Sequence, residues 1–323
     1  MWQEHGHKVL VAGRDRSVMK DLAAAYPWIR YEVLSAMKEN NQFPILEFWE
    51  RQKKIMGLIL SYKPNLVLSL MGNYTQTAFL CRVPNIVFTD SEFQRTSHRI
   101  ALPFAAKIYT PSCFTKKLGK KQFYYHGYHE LSYLHPQRFQ ADRKILEDLG
   151  SVKGYDYVVV RLSSWNTLHD VRKSGMEKSA IDFIQKLAQK IKVFVVPEGK
   201  LDPLLEKYRL TVSPAKLHDV LAFSRLVITE GNTTASEAAC LGIPSVVINP
   251  HHCGYLKELD EYYGLVYRFQ EYSLAVEEKI WTLLEDPNGV ALFKKKQEIM
   301  LSDKIDVSSY VCQEIEAMGK ILS

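Results

Sequence analysis

Short runs of β-branched and apolar residues recur along the chain, each ending near Gly, Asn, Asp, Ser or Thr and giving way to a stretch with helical spacing of its apolar positions. In the first half this pattern predicts strands over Lys8–Ala12, Asn65–Leu70, Asn85–Thr89 and Lys107–Thr110, and a further extended run over Phe123–Tyr128. A helix is expected over Ile45–Tyr62. In the second half strands are expected over Asp156–Arg161, Lys192–Val196, Leu226–Thr229 and Ser245–Ile248, separated by helices over Lys178–Gln189, Lys216–Phe223 and Thr233–Leu241. Strands alternating with helices of about 10–15 residues indicate βαβ units and parallel sheets. A polar stretch from Leu134 to Gly154 divides the two sets. The expectation is an α/β protein with two Rossmann-like domains, 1–142 and 143–323, whose sheets face each other across a cleft. Ligands of such sheets bind beyond the carboxyl ends of the strands.

The opening residues fit this plan poorly. Met1-Trp2-Gln3-Glu4-His5-Gly6-His7 reads as the last turn of a helix stopping at Gly6, yet the first strand of a doubly wound sheet is usually central. The expectation is a sheet that lacks its first strand and the loop after it, with a gap in its middle.

Composition narrows the class. The chain has 323 residues, 46% hydrophobic and 24% charged, enough for two ordinary cores. No apolar run reaches the roughly 18 residues of a membrane helix, because Ile55 to Gly72 is cut by Lys63-Pro64. Five scattered cysteines without a C-x-x-C pair suit reduced thiols and a cytoplasmic setting. His251-His252-Cys253 has no partner pair at zinc spacing, so no metal is expected. Residues 1–142 carry 19 bases against 11 acids, a net +8, whereas the remainder is −2. Lys116, Lys117, Lys120 and Lys121 lead into Phe123-Tyr124-Tyr125, a patch readable as a solvated loop or as a rest for an anionic membrane surface. No nucleic-acid recognition module is present.

The sharpest chemistry lies between Leu226 and Ile248: a buried strand, a Gly231-Asn232 turn, a helix of small residues, then Gly-Ile-Pro opening the next strand. Gly231 lets backbone approach a ligand. Thr233, Thr234 and Ser236 add hydroxyls beside the free N–H groups of the first helical turn, which with the helix dipole form an anion site. Glu237 reads either as a capping-box partner of Thr234 or as an acceptor for two ribose hydroxyls. Arg161, at the carboxyl end of its strand, suits a diphosphate leaving group better than a structural ion pair; Ser163, Ser164 and His169 follow it on a loop.

The segment Gly231-Asn-Thr-Thr-Ala-Ser-Glu-Ala-Ala-Cys-Leu-Gly-Ile-Pro244 resembles the donor-binding segment of GT-B glycosyltransferases such as the lipid-linked N-acetylglucosaminyl transferases of cell-wall synthesis. The resemblance implies that Asn232, Thr233, Thr234 and Ser236 hold a diphosphate and Glu237 a ribose. Sugar-nucleotide 2-epimerases share the fold and a similar turn. Over nearly the whole chain the sequence is similar to the DUF354 family of predicted glycosyltransferases, through Gly6–Arg14, Gly127–His135, Val160–Trp165 and Glu230–Pro244. It departs from that pattern in lacking the opening strand and in carrying Asn232-Thr233 where a second glycine is more usual.

These resemblances imply a nucleoside-diphosphate sugar, UDP-linked, as substrate, no cofactor, and an acceptor that is lipid-linked or a glycan. A base must then deprotonate the acceptor hydroxyl. Asp90 and Glu92, beyond strand Asn85–Thr89, are the candidates, although Asp90 reads equally as a helix N-cap. Gly72, Asn73 and His98 are expected on the acceptor side. The competing expectations are a 2-epimerase-like isomerase and a protein that binds nucleotide sugars without catalysis.

Overall fold

The computed structural model describes residues 6–15, 29–36, 44–162 and 176–322, with isolated positions between 19 and 26. Every strand pairing among them is parallel. β1 (Leu10–Asp15) pairs with β2 (Arg30–Ala36). β3 (Val67–Leu70), β4 (Asn85–Phe88), β5 (Lys107–Pro111) and β6 (Gln122–Tyr125) form a second sheet in that order. β7 (Tyr157–Leu162), β8 (Lys192–Pro197), β9 (Leu226–Thr229), β10 (Ser245–Ile248) and β11 (Val266–Phe269) form a third, ordered β11-β10-β9-β7-β8.

Among the strands read from apolar runs, β4 and β9 are buried at all four positions, as parallel sheets covered by helices require, whereas the edge strands β3 and β6 are partly exposed. The run expected over Phe123–Tyr128 ends at Tyr125, because the His126 carbonyl turns to accept the Ile305 N–H from the far end of the chain. β2 and β11 were not expected. Both are sheet edges whose apolar runs are broken by charged residues, Arg30 and Glu32 in β2 and Arg268 in β11.

Among the described residues β1 and β3 share no ladder, so the strands of the first half fall into two sheets. Leu34, Ile55, Ile59 and Ala78 pack together, with Ala12 of β1 and Val67 of β3 half-buried against them.

The stretch Leu134 to Gly154 is no polar tether. Leu131–Leu134 and Ile145–Asp148 are short helices whose leucines and isoleucine sink into one continuous core. That core joins Ile86, Phe88 and Tyr109 of the first half to Val159, Val227 and Val247 of the second. Each such side chain contributes about 1.5–3 kcal/mol when fully buried. The last helix, Val307–Leu322, returns to the first half. Tyr310 lies against Tyr109 and Tyr125, the Tyr109 hydroxyl donates to Glu314, and Arg138 pairs with Asp306 at 2.5 Å.

Candidate functional site

The helix Asn232–Cys240 begins directly beyond β9 with Gly231 as its N-cap, and almost all of it is buried. Thr234 is therefore a residue of the first turn and no capping box forms with Glu237. Its hydroxyl instead accepts from Arg161 Nη1 at 2.6 Å. Arg161 and Thr229 are register partners on β7 and β9, which explains why two residues 73 apart in sequence meet at the strand ends. The guanidinium also pairs with Glu198 at 3.0 Å and lies 3.9 Å from Glu237. The ion-pair reading of Arg161 is realised through Glu198, and the guanidinium also stands at the start of the helix that carries Glu237. Gly231 has a negative φ, and a Cβ there would make only ordinary contacts with Thr229 and Thr234, so the protomer itself does not require glycine. Thr233 is exposed beside it.

Glu237 is buried and held by two residues the sequence reading missed. Its Oε1 accepts from the Tyr133 hydroxyl at 3.0 Å and lies 3.0 Å from His218 Nε2. Its Oε2 is buried and has no hydrogen-bond partner among the described residues; Arg161 Nε and Asn232 Oδ1 share that condition. Three unsatisfied polar atoms around one helix start are costly unless something else completes them, at about 1–3 kcal/mol each. Ser236 faces the other way. It is fully buried and its hydroxyl donates to Glu130 Oε2 at 3.0 Å.

Glu130 is itself fully enclosed. Burial pushes its carboxyl well above the ordinary range, and the charges of Asp90 and Glu237 add to this. Neighbouring His129 is held below its usual range by burial, against the pull of Asp90. Asp90, just beyond the end of β4, is thus near enough to act on both Glu130 and His129. It is half-buried, accepts from Ser91 at 2.9 Å, and caps nothing, since the following helix Arg95–Ala101 has Gln94 at its N-cap.

Glu92, two residues on, has a different set of contacts. Its Oε1 accepts the backbone N–H groups of Thr115 at 3.1 Å and Gly254 at 3.0 Å, so it ties the first half to the start of helix Gly254–Glu261. Its Oε2 is buried without a partner among the described residues. Gly72 is buried in a left-handed turn beyond β3, and a Cβ would come within 2.8 Å of Ala101. Asn73 is exposed and its carbonyl accepts from Gln52. His98 Nε2 lies 3.0 Å from the Thr89 hydroxyl, and burial, followed by the Lys116 charge, keeps it below its usual range. These residues gather at the carboxyl ends of β3 and β4. Ser163, Ser164 and His169 lie outside the described residues.

Elsewhere, Lys116 and Lys121 donate to the carbonyls of Glu92, Pro103 and Ala105. No described helix is long and apolar enough to cross a membrane. No group of three metal-ligating side chains occurs among the described residues.

No curated protein matches the sequence. Solved structures do match in fold. UDP-GlcNAc 2-epimerase from Neisseria meningitidis bound to UDP-GlcNAc superposes with a TM-score of 0.69 at 11% identity, covering 98% of this chain and 94% of that one. The S. aureus MnaA–UDP co-structure gives 0.68 at 11%, covering 97% and 88%. The spinosyn forosaminyltransferase SpnP gives 0.60 at 13%, covering 98% and 92%. The fold is therefore the α/β, parallel-sheet GT-B arrangement shared by glycosyltransferases and UDP-sugar epimerases. A family model agrees with the similarity carried by Gly6–Arg14, Gly127–His135 and Glu230–Pro244, and matches residues 1–314: the chain belongs to DUF354, described as a protein of unknown function.

Proposed function

We propose that the chain is a glycosyltransferase that moves a sugar from a nucleoside-diphosphate donor, UDP-linked, without a metal ion. The observation that carries this is the buried, unpartnered Oε2 of Glu237 beside Arg161 and Thr234 at one helix start. An acceptor-only oxygen there suits a ligand hydroxyl such as that of ribose, with Tyr133 and His218 fixing the carboxylate. Arg161 and the first-turn N–H groups suit the diphosphate, supplying the positive field a metal would otherwise provide. In the transfer, Asp90 takes the proton of the acceptor hydroxyl and the acceptor oxygen bonds to the anomeric carbon. The bond from that carbon to the diphosphate breaks, and its electron pair leaves with the diphosphate oxygen beside Arg161. Gly72, Asn73 and His98 border the acceptor side. Glu92 sets the distance between the halves rather than meeting the sugar.

The nucleotide is inferred from the neighbours whose names include UDP or UDP-GlcNAc. An epimerase reading has its own support in those neighbours. Calorimetric titration with UDP and UDP-GlcNAc tests the donor site: Glu237→Ala and Arg161→Ala are each expected to weaken binding at least tenfold, about 1.4 kcal/mol. Equal affinity in both variants rejects the site. Incubation of the wild type with UDP-GlcNAc in D2O, without acceptor, separates the chemistries. Deuterium entering sugar C2 would replace transfer by epimerisation.

A further inference from the structure

The carboxyl ends of β1 and β2 carry a charged cluster that the donor site and the transfer step leave unused. Arg14 and Ser35 are register partners near those ends, and both reach Glu47 on the helix Pro44–Tyr62. Glu47 Oε1 accepts from Arg14 Nη2 at 2.7 Å and Nε at 3.0 Å, and from the Ser35 hydroxyl at 3.0 Å. Arg51, one turn further along the helix, stands 3.7 Å from the same oxygen. Its side chain is only 14% exposed, and its Nε is buried with no hydrogen-bond partner among the described residues. Two guanidiniums therefore share one carboxylate oxygen that Arg14 already engages with two N–H groups. An enclosed cation with a donor left unmet is costly unless a further acceptor completes it.

The end of β3 adds a third side to the cluster. Tyr74 follows the turn Gly72-Asn73 and is half-buried. Burial raises its hydroxyl above the ordinary range, and the Arg51 and Arg14 charges act next most strongly on it, in the opposite sense. The phenol thus keeps its proton beside both guanidiniums. The turn is held in place: Gln52 Nε2 donates to the Asn73 carbonyl at 2.9 Å, and the Thr75 hydroxyl lies 2.9 Å from the carbonyls of both Gly72 and Ala101. Gln52 adjoins Arg51, so the bond that fixes the turn also fixes the stretch of helix that carries the guanidinium.

We infer that Arg14, Arg51 and Tyr74 bind a phosphate group carried by the acceptor of the transfer. The anion site stands on its own geometry; its assignment to the acceptor rests on the transferase reading and on its place beside Gly72 and Asn73. A carboxylate is satisfied by a single guanidinium fork, as Glu47 and Arg14 show. Two guanidiniums and a phenol, brought from three elements, offer more donors than one carboxylate accepts and suit a tetrahedral anion with several oxygens.

A 31P NMR titration of the full chain with inorganic phosphate, with UDP in excess to fill the donor site, tests this. Saturable binding is expected in the wild type, at least tenfold weaker in Arg51→Gln and in Arg14→Gln. Arg161→Ala, which acts at the donor helix, should leave phosphate binding as it is. Thermal melts give a readout that a purely structural ion pair would not move. Phosphate at constant ionic strength is expected to raise the Tm of the wild type but not that of Arg51→Gln, whose Tm without phosphate stays at or above the wild-type value. Arg51→Lys, which keeps the charge and loses the fork, should bind between the two. Displacement of phosphate by glucose 1-phosphate or by farnesyl phosphate at lower concentration supports the site, and which of them does so tells a soluble acceptor from a lipid-linked one. Phosphate affinity unchanged in Arg51→Gln overturns the inference. So does binding lost in Arg161→Ala alone, or acetate competing on equal terms. If UDP does not bind while Arg51-dependent phosphate binding persists, the donor reading falls and this site stands.

Discussion

Glu130 has the most unusual setting of any single residue: a carboxyl enclosed on all sides, bonded to Ser236, with Asp90 and Glu237 acting on it. Its folded pKa is raised above the unfolded value of 4.5, mainly by burial. A raised acid keeps its proton in the folded state. Its contribution to stability is therefore whole below pH 4.5 and declines as pH climbs from there toward the folded value. Glutamine in the same place cannot ionise. Glu130→Gln is thus expected to gain on the wild type as pH rises from 5 to 8, by up to about 1.4 kcal/mol per pH unit. Urea unfolding at three pH values measures this, and a difference that stays flat removes the neutral-carboxyl assignment. Glu130 lies in Gly127–His135, one of the stretches that carry the family resemblance, yet nothing there marks its carboxyl as enclosed. Gly231 to Glu237 was legible because its residues are contiguous and share one helix start. Tyr133, His218 and Glu130 reach the same place from other segments, which only the folded chain brings together.

At the level of elements, most strands were readable from their apolar runs, edge strands β3 and β8 among them, and two edge strands, β2 and β11, were not. β4 and β9 need hydrophobic residues on both faces, whereas β11, with Tyr267 and Arg268 only partly buried, has one neighbour and looser demands. The start of helix Gly254–Glu261 shows a constraint that pattern alone does not reveal. Gly254 donates its N–H to Glu92, and a Cβ on it would overlap the Cys113 carbonyl and come within 2.7 Å of Glu92 Oε1. A backbone carbonyl cannot rotate out of the way. Gly254→Ala is expected to cost on the order of 2–3 kcal/mol, as overpacking does, and to push the helix away from the β4 side of the cleft. Thermal melts should show the loss. A variant as stable as the wild type would mean that the two halves do not meet there as described.

At the scale of the whole molecule, sequence patterning suggested two bodies joined by a polar connection, and the packing gives them a common core instead. Hydrophobic periodicity tells which face of a helix is buried but not which body buries it. The return of Val307–Leu322 to the first half was accordingly not readable, although its apolar face was present in the sequence. Tyr310 is the clearest joint, half-buried with its ring 6.0 Å from Tyr109 and 6.1 Å from Tyr125. If the halves stood alone, weakening this joint would let the first half, with its interrupted sheet, melt early. With Ile86, Phe88 and Tyr109 sharing one cluster with Val159 and Val227, the halves should instead unfold together. Calorimetry of Tyr310→Ala is expected to show one transition, moved down by roughly 2–5 °C for a loss of about 1–2 kcal/mol. A second, lower-temperature transition appearing in the variant would show that the shared core does not couple the halves, and that the cleft is set by two bodies free to move apart.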